Sequence, residues 1–332
     1  MTQNAKMDSN CDIYQKPKAR LRILFSLLIF MTTFSVFAQI PNLANPNMTK
    51  VGDKVYALIG DMDIPNEQNE GFICNSVFIV TANSVIVVDP GGSRQIGEMV
   101  IRQIRSVTDN PITHVFNTHH HADHWMGNQA FARLEPKPII IGHQIMHDRA
   151  NEIGERWIKI ISDLTKGKNQ GTNPVYPSTI VTGSELMKID GLELQLIHPI
   201  HAHTKGDIVI HLPQEKVLIT GDVFFHIRTP GFQDASPLGN LHALTELYQL
   251  DFDQVVPGHG PVTNKSGMEN MINYVKLLHA EVKKYFDEGL SDFEMKDKLN
   301  VGVYSQMSGF SERFGVNVNR MYLEVEARSF DE

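Results

Sequence analysis

The sequence predicts an α+β fold in which sheets are covered by helices, on three observations. Between Val51 and Pro261, short β-type runs alternate with helical and loop stretches, without the strict strand–helix period of a doubly wound sheet. After Pro261 the pattern turns wholly helical, with Met268, Met271, Ile272, Val275, Leu278 and Val282 on one face. No linker interrupts residues 45–325, which read as one domain.

The elements follow in order. Residues 55–59 read as a strand, and a polar stretch over 60–71 follows that could cover a site. Residues 76–80 and 85–88 form a second and third strand around a tight turn at Ala82-Asn83. Ile96, Val100, Ile104 and Val107 recur at helical spacing and predict an amphipathic helix over 95–107. Strands are expected at 113–117 and 138–141, a helix at 153–163, and a Gly/Asn/Pro/Ser-rich surface loop at 166–178. Residues 192–197, 207–212, 217–220 and 254–256 complete the strands.

Composition restricts the partners. The net charge of −8, with no long basic block, argues against nucleic acid as the main partner. Lys16, Lys18, Arg20 and Arg22 precede an uncharged run from Ile23 to Phe37 that ends in Val36-Phe37-Ala38. That order is a secretory signal over residues 1–38, cleaved after Ala38, and the apolar run is shorter than the ~20 residues a membrane span needs. The mature protein is therefore expected outside the cytoplasm, periplasmic or secreted, with no stable membrane anchor. Of the two cysteines, Cys11 lies in the removed segment, so Cys74 is left without a disulfide partner and is expected to be a small buried side chain.

The chemistry concentrates at strand ends. Thr118-His119-His120-His121-Ala122-Asp123-His124 follows the strand at 113–117. His119 and His121, two apart, can point to one side of an extended loop, and His120 alternates toward solvent. Asp123 and His124 come where the chain turns into a helix and re-aims its side chains. Such a cluster is costly without a cation to neutralise it. His203 precedes the strand at 207–212, Asp222 closes that at 217–220, and His259 closes that at 254–256. Polar residues at apolar strand tips converge on one sheet edge. His201, two before His203, stands as a weaker candidate; His114 and His143 lie in apolar strand surroundings and read as structural.

The ordered set His119-x-His121-x-Asp123-His124, His203, Asp222 and His259, with the turn Asp89-Pro90-Gly91-Gly92, resembles the ligand pattern of the metallo-β-lactamase superfamily between about residues 51 and 262. The resemblance implies a four-layer αββα sandwich with metals at one edge between the sheets. It places His119, His121 and His203 on a first metal, and Asp123, His124 and His259 on a second. Asp222 bridges the two, and Asp89 ties down the loop that carries the ligands.

Nitrogen and oxygen donors of this kind suit two Zn²⁺ ions, and Fe²⁺ or Mn²⁺ accept the same donors. The resemblance implies a hydrolase that turns water into a nucleophile at neutral pH, with Asp123 as the catalytic residue that orients the water and passes its proton on. The expected substrate is an ester, thioester, lactone or amide-type bond. Asp222 stands where β-lactamases of the family usually carry Cys or Ser, which disfavours a periplasmic β-lactamase. A mononuclear iron sulfur dioxygenase would leave His124 and His259 unused. Trp125, Phe225 and Arg228, next to ligand positions, are candidate substrate contacts. The role of the C-terminal helices and the oligomeric state are not specified by the sequence.

Overall fold

The computed structural model describes residues 43–44 and 46–330. The expected signal segment, with its cleavage point after Ala38, lies outside the described residues. A seven-stranded mixed sheet is built in sequence order from β1 (Asn47–Lys50), β2 (Val55–Ile59), β3 (Ser76–Val80), β4 (Val85–Val88), β5 (Ile112–Asn117), β6 (Ile139–His143) and β7 (Thr179–Val181). Its first four strands pair antiparallel, as hairpin links allow, and β4 to β7 pair parallel. A five-stranded sheet contains β8 (Glu185–Ile189), β9 (Leu192–Ile197), β10 (Val209–Leu212), β11 (Val217–Ile219) and β12 (Gln254–Val256), in the order β12-β11-β10-β9-β8.

Strand alternation divides the apolar residues between two layers. Val77, Ile79, Ile86 and Val88 face the second sheet and meet Leu194, Leu196, Ile210 and Ile219. Phe78, Val85 and Val87 point the other way, onto Ile96, Met99, Val100 and Ile104 of α1 (Arg94–Arg105). Both faces of each sheet are therefore covered, so these strands read as continuous apolar runs. Each such side chain is worth about 1.5–3 kcal/mol relative to exposure. Ser93 caps α1 by accepting from the Ile96 amide.

Short helices α2 (Ala122–Trp125) and α3 (Asn128–Phe131) follow β5, and the long α4 (Gln144–Leu164) follows β6. The outer face of the second sheet is covered by α5 (Pro237–Leu247), α6 (Lys265–Asp287) and α8 (Phe310–Ser329), with α7 (Asp292–Met295) between the last two. The layers run helix, sheet, sheet, helix: this is the four-layer αββα sandwich. Three short elements escape the sequence reading, namely β1, β7 and β8, and so does α5. In β8 the pattern Glu-Leu-Met-Lys-Ile is largely exposed, an edge strand with little hydrophobic signal. The expected helix at 153–163 begins nine residues earlier, at Gln144, where His143 caps it by accepting from the Ile145 amide. Among the described residues no helix is long and apolar enough to cross a membrane.

Candidate metal centre

Five strand or loop ends meet at one edge between the sheets. After β4, Asp89 adopts a left-handed backbone (φ 54°) that turns its side chain back under the next strand. There it accepts from the Thr118 amide at 2.8 Å, the Thr118 hydroxyl at 2.7 Å and His124 Nδ1 at 2.8 Å. The loop after β5 then presents His119 and His121, and the first turn of α2 presents Asp123 and His124. Asp222 sits in a 3-10 turn (Gly221–Val223) after β11. A side chain at Gly258 would lie 1.9 Å from the Asp222 carboxylate, so glycine there admits the approach of His259. His203 is set by a clamp in its own turn: Asp207 accepts from the Thr204 amide and hydroxyl at 2.8 and 2.6 Å. Burial pushes the Asp207 carboxyl up to about 7 against those hydrogen bonds.

The donors form two groups that could each hold a metal ion, His119, His121, His203 and Asp222 in one, and Asp123, His124 and His259 in the other. Asp222 also reaches the second group: Oδ1 lies 3.2 Å from His124 Nε2, and Oδ2 lies 3.3 Å from His259 Nε2 and 3.4 Å from His203 Nε2. Asp123 Oδ2 lies 3.3 Å from His259 Nε2.

The fit to cations follows from what stands behind each ring. The far nitrogens of His124 and His121 face acceptors, namely Asp89 and Asp234, and so carry the proton, while His259 Nδ1 lies 2.8 Å from both the Ile73 carbonyl and Arg228 Nη1. Thr118 spends its hydroxyl proton on Asp89 and therefore accepts from His119 Nδ1 at 3.0 Å. The near nitrogens of His124, His121 and His119 are thereby left as bare lone pairs aimed at other ring nitrogens and carboxylates. His119 Nε2 and His203 Nε2 stand 3.1 and 2.9 Å from His121 Nδ1. His124 Nε2 and Asp222 Oδ1 are buried with no hydrogen-bond partner. Buried acceptors converging in this way need a positive charge between them.

With no cation between them, the carboxylates draw a proton onto the nearest ring instead. Burial would depress His124, but the Asp222, Asp123 and Asp89 carboxylates outweigh it and hold the ring well above its ordinary value. Burial and the neighbouring His124 push His119 well down, and burial brings His203 to about 3. Burial would raise Asp123 and Asp222; the facing His124 and His259 hold both below the usual carboxylate range.

All seven donors expected from the sequence thus come together, with Asp89 behind them. The substrate-contact expectations divide. Phe225 stacks on His259 (5.3 Å, 11°) and lines the pocket over the donors, as does Arg228. Trp125 does not: its ring is fully buried against Met146 and Ala150, and its N–H donates to the His120 carbonyl at 2.9 Å. The helical turn from His124 to Trp125 swings the indole away from the donors. His120 is buried as well, not solvent-facing as alternation implied, beside Asp234. His201 stays outside both donor groups. The stretch at 60–71 is a turn held by its own Asn66 and Asn69 side chains, and its Pro65 lines the pocket.

Three residues were missed by sequence reasoning. Asp234 accepts from His121 Nε2 at 3.0 Å, which holds the carboxyl down to about 2. Trp157 on α4 and Arg313 on α8 line the same pocket of about 160 Å³. A charged residue two positions from Phe232 or a Trp on an amphipathic helix carries no spacing signal of its own.

Comparison with known proteins adds independent support. The sequence model of the metallo-beta-lactamase superfamily matches residues 69–259, a span that holds every donor named above. A linear primary-alkylsulfatase of a Pseudomonas species is 23% identical over 262 residues, covering 67% of this chain and 49% of that one. A hydroxyacylglutathione hydrolase of Brucella ovis is 27% identical over 139 residues, 42% of this chain and 44% of the other. The chain thus spans about half the length of these curated relatives. Among solved structures, a metallo-beta-lactamase from Pontibacter korlensis matches 70% of this chain and 99% of its own at TM-score 0.57 and 19% identity. The inverting sec-alkylsulfatase Pisa1 from a Pseudomonas species matches 84% of this chain and 50% of its own, at TM-score 0.64 and 16% identity. At these identities the structural likenesses speak for the fold.

Proposed function

The chain belongs to the metallo-β-lactamase superfamily, and from that premise we propose that it is an exported, zinc-dependent hydrolase of a small molecule, cleaving an ester, thioester, lactone or amide-type bond. The observation that carries the reading is Asp222, whose two oxygens face donors of both groups and so join them into one two-ion centre. Two divalent cations bound there supply an activated water and neutralise charge developing on the substrate.

The rest falls to the chain. His119, His121, His203 and Asp222 would hold one ion, and Asp123, His124 and His259, with Asp222 beside them, would hold the other. Asp123 is the least buried of these donors toward the pocket, its side chain 16% exposed. Held ionised by His124 and His259, it is placed to orient water and to carry a proton toward the leaving group. Its backbone carbonyl is fixed by the buried Cys74 thiol, which donates to it at 2.7 Å. Phe225 and Trp157 wall the pocket and exclude bulk water. Export rests on the basic and apolar segments before Ala38.

The printed names of the relatives, an alkylsulfatase and a hydroxyacylglutathione hydrolase, are both those of hydrolases, which supports the reaction class. Asp222 in place of Cys or Ser disfavours a β-lactamase, and a second donor group at Asp123, His124 and His259 disfavours a one-iron dioxygenase. The test is a panel of nitrocefin, lactones, thioesters, esters and phosphodiesters on the zinc-loaded protein, with Asp123→Asn beside it. Hydrolysis is expected to fall by orders of magnitude in the variant while its thermal unfolding is preserved. Activity untouched by the substitution would dispose of the mechanism.

A further inference from the structure

Two arginines border the pocket, and neither is neutralised. Arg228 is fully buried, 1% exposed, in the segment that leaves the Asp222 turn. Its backbone is locked there by pairing with the last loop before α8: the Thr229 amide donates to the Ser308 carbonyl at 2.9 Å, and the Ser308 amide to the Ile227 carbonyl at 3.1 Å. Its Nη2 donates to the Asp63 carbonyl at 3.2 Å, its Nη1 lies 2.8 Å from His259 Nδ1, and its buried Nε has no partner. Arg313 comes from the first turn of α8 and packs over Gly309, whose left-handed backbone (φ 68°) leaves room for the guanidinium. Among the described residues, neither guanidinium has a carboxylate within 4.0 Å.

The charge balance is the point. The carboxylates that pull on Arg313 are first Asp222 and Asp123, both donors of the metal centre, and then Glu312 and Asp63. With Asp222 and Asp123 committed to divalent cations, less negative charge would be left to face the two arginines. Buried like charges are retained where an opposite charge comes to meet them. The remaining wall is apolar: Trp157, Ile161 and Leu164 lie along one face of α4, with Phe225 beside the donors.

We propose that this pocket takes an organic oxyanion, its sulfo, phospho or carboxylate group seated at Arg313 with the buried charge of Arg228 behind it, and its apolar body against Trp157, Ile161 and Leu164. The N-terminal turn of α8 is thereby part of the substrate site, and Arg313 is a specificity-determining residue. The inference rests on the hydrolase reading for turnover, but not for binding, because the arginines recognise charge whether or not a bond is cut.

The experiment has two arms on the full-length, zinc-loaded protein. In the first, kcat/KM is compared for neutral 4-nitrophenyl butyrate against 4-nitrophenyl sulfate, 4-nitrophenyl phosphate and 4-nitrophenyl hemiglutarate, which separates an anion at the reacting atom from one remote from it. In the second, calorimetry measures binding of benzylphosphonate against neutral benzyl alcohol. The buried Arg228 is a poor target because its loss threatens folding, so Arg313→Gln and Arg313→Lys are used. The wild type should favour at least one anionic ester by about tenfold or more, and Arg313→Gln should cut that preference about tenfold, mainly through KM. Arg313→Lys should recover part of it, since charge survives without the planar fork. Benzylphosphonate binding should weaken in parallel.

An anion preference and a benzylphosphonate affinity that are both unmoved by Arg313→Gln would overturn the proposal, as would wild-type turnover indifferent to charge. No turnover on any ester, with benzylphosphonate binding lost in Arg313→Gln, would sink the hydrolase reading and leave this one standing. Neither turnover nor binding in the wild type would remove both.

Discussion

His124 and His121 each lean on a carboxylate, but the two carboxylates live in different surroundings. Asp89, behind His124, is 2% exposed and accepts three hydrogen bonds, two of them from Thr118, which begins the donor loop. Asp234, behind His121, has a side chain 44% exposed and one hydrogen bond, to that ring. On the inner side of the centre the group that orients a ligand is also part of the fold. On the outer side it serves the site alone. Stability and metal affinity should therefore separate between the two sides, and several substitutions test that separation.

The largest effect is expected at the residue both sides share. Asp222→Asn should lower hydrolysis by more than about a hundredfold, beyond the 10–100-fold that ligand-backing residues reach, and reduce bound zinc measured by elemental analysis. Two ions retained with activity intact would mean the two groups are independent.

Next is Asp89→Ala. It strands the Thr118 amide, the Thr118 hydroxyl and the His124 proton in the interior, at a cost of roughly 2–4 kcal/mol. Urea unfolding of the metal-free protein reads this directly. A loss no larger than for Asp234→Ala would erase the contrast drawn above.

Asp234→Ala should cost under about 1 kcal/mol, as surface-accessible partners do, yet weaken zinc binding about tenfold by freeing the His121 ring. Competition with a chromophoric chelator checks it; unaltered affinity would show that packing alone orients His121.

The smallest effect is reserved for Trp125→Phe, which keeps the ring in its apolar nest and removes only the hydrogen bond to the His120 carbonyl. About 1 kcal/mol should be lost with KM unchanged. A marked rise in KM would return Trp125 to the substrate wall.

The same contrast explains what could be read early. The donor run itself is local: four donors within six residues, at the tip of an apolar strand, with a turn-forming Asp-Pro-Gly-Gly upstream. Backbone geometry over such short spans limits where side chains point, so His119, His121, Asp123 and His124 are legible as a group. The outer side is assembled from afar. Asp234 meets His121 across 113 residues of sequence, and Arg313 arrives on a helix that otherwise covers the second sheet. Their neighbours in the chain carry no trace of that meeting. Trp125 shows the converse error, since adjacency to a ligand along the chain became distance from the pocket through one helical turn.

By itself the sequence determined the sheets covered by helices, because burial on both faces writes itself as apolar runs at strand spacing. It also pointed to the candidate donors through a family resemblance, since residue type and order at strand tips survive without coordinates. Only the tertiary structure decided which tautomer each ring presents, which carboxylates stand behind the ligands, and which residues wall the pocket. Those depend on distances across packed layers, and such distances are set by how whole sheets and helices dock rather than by any local run of residues.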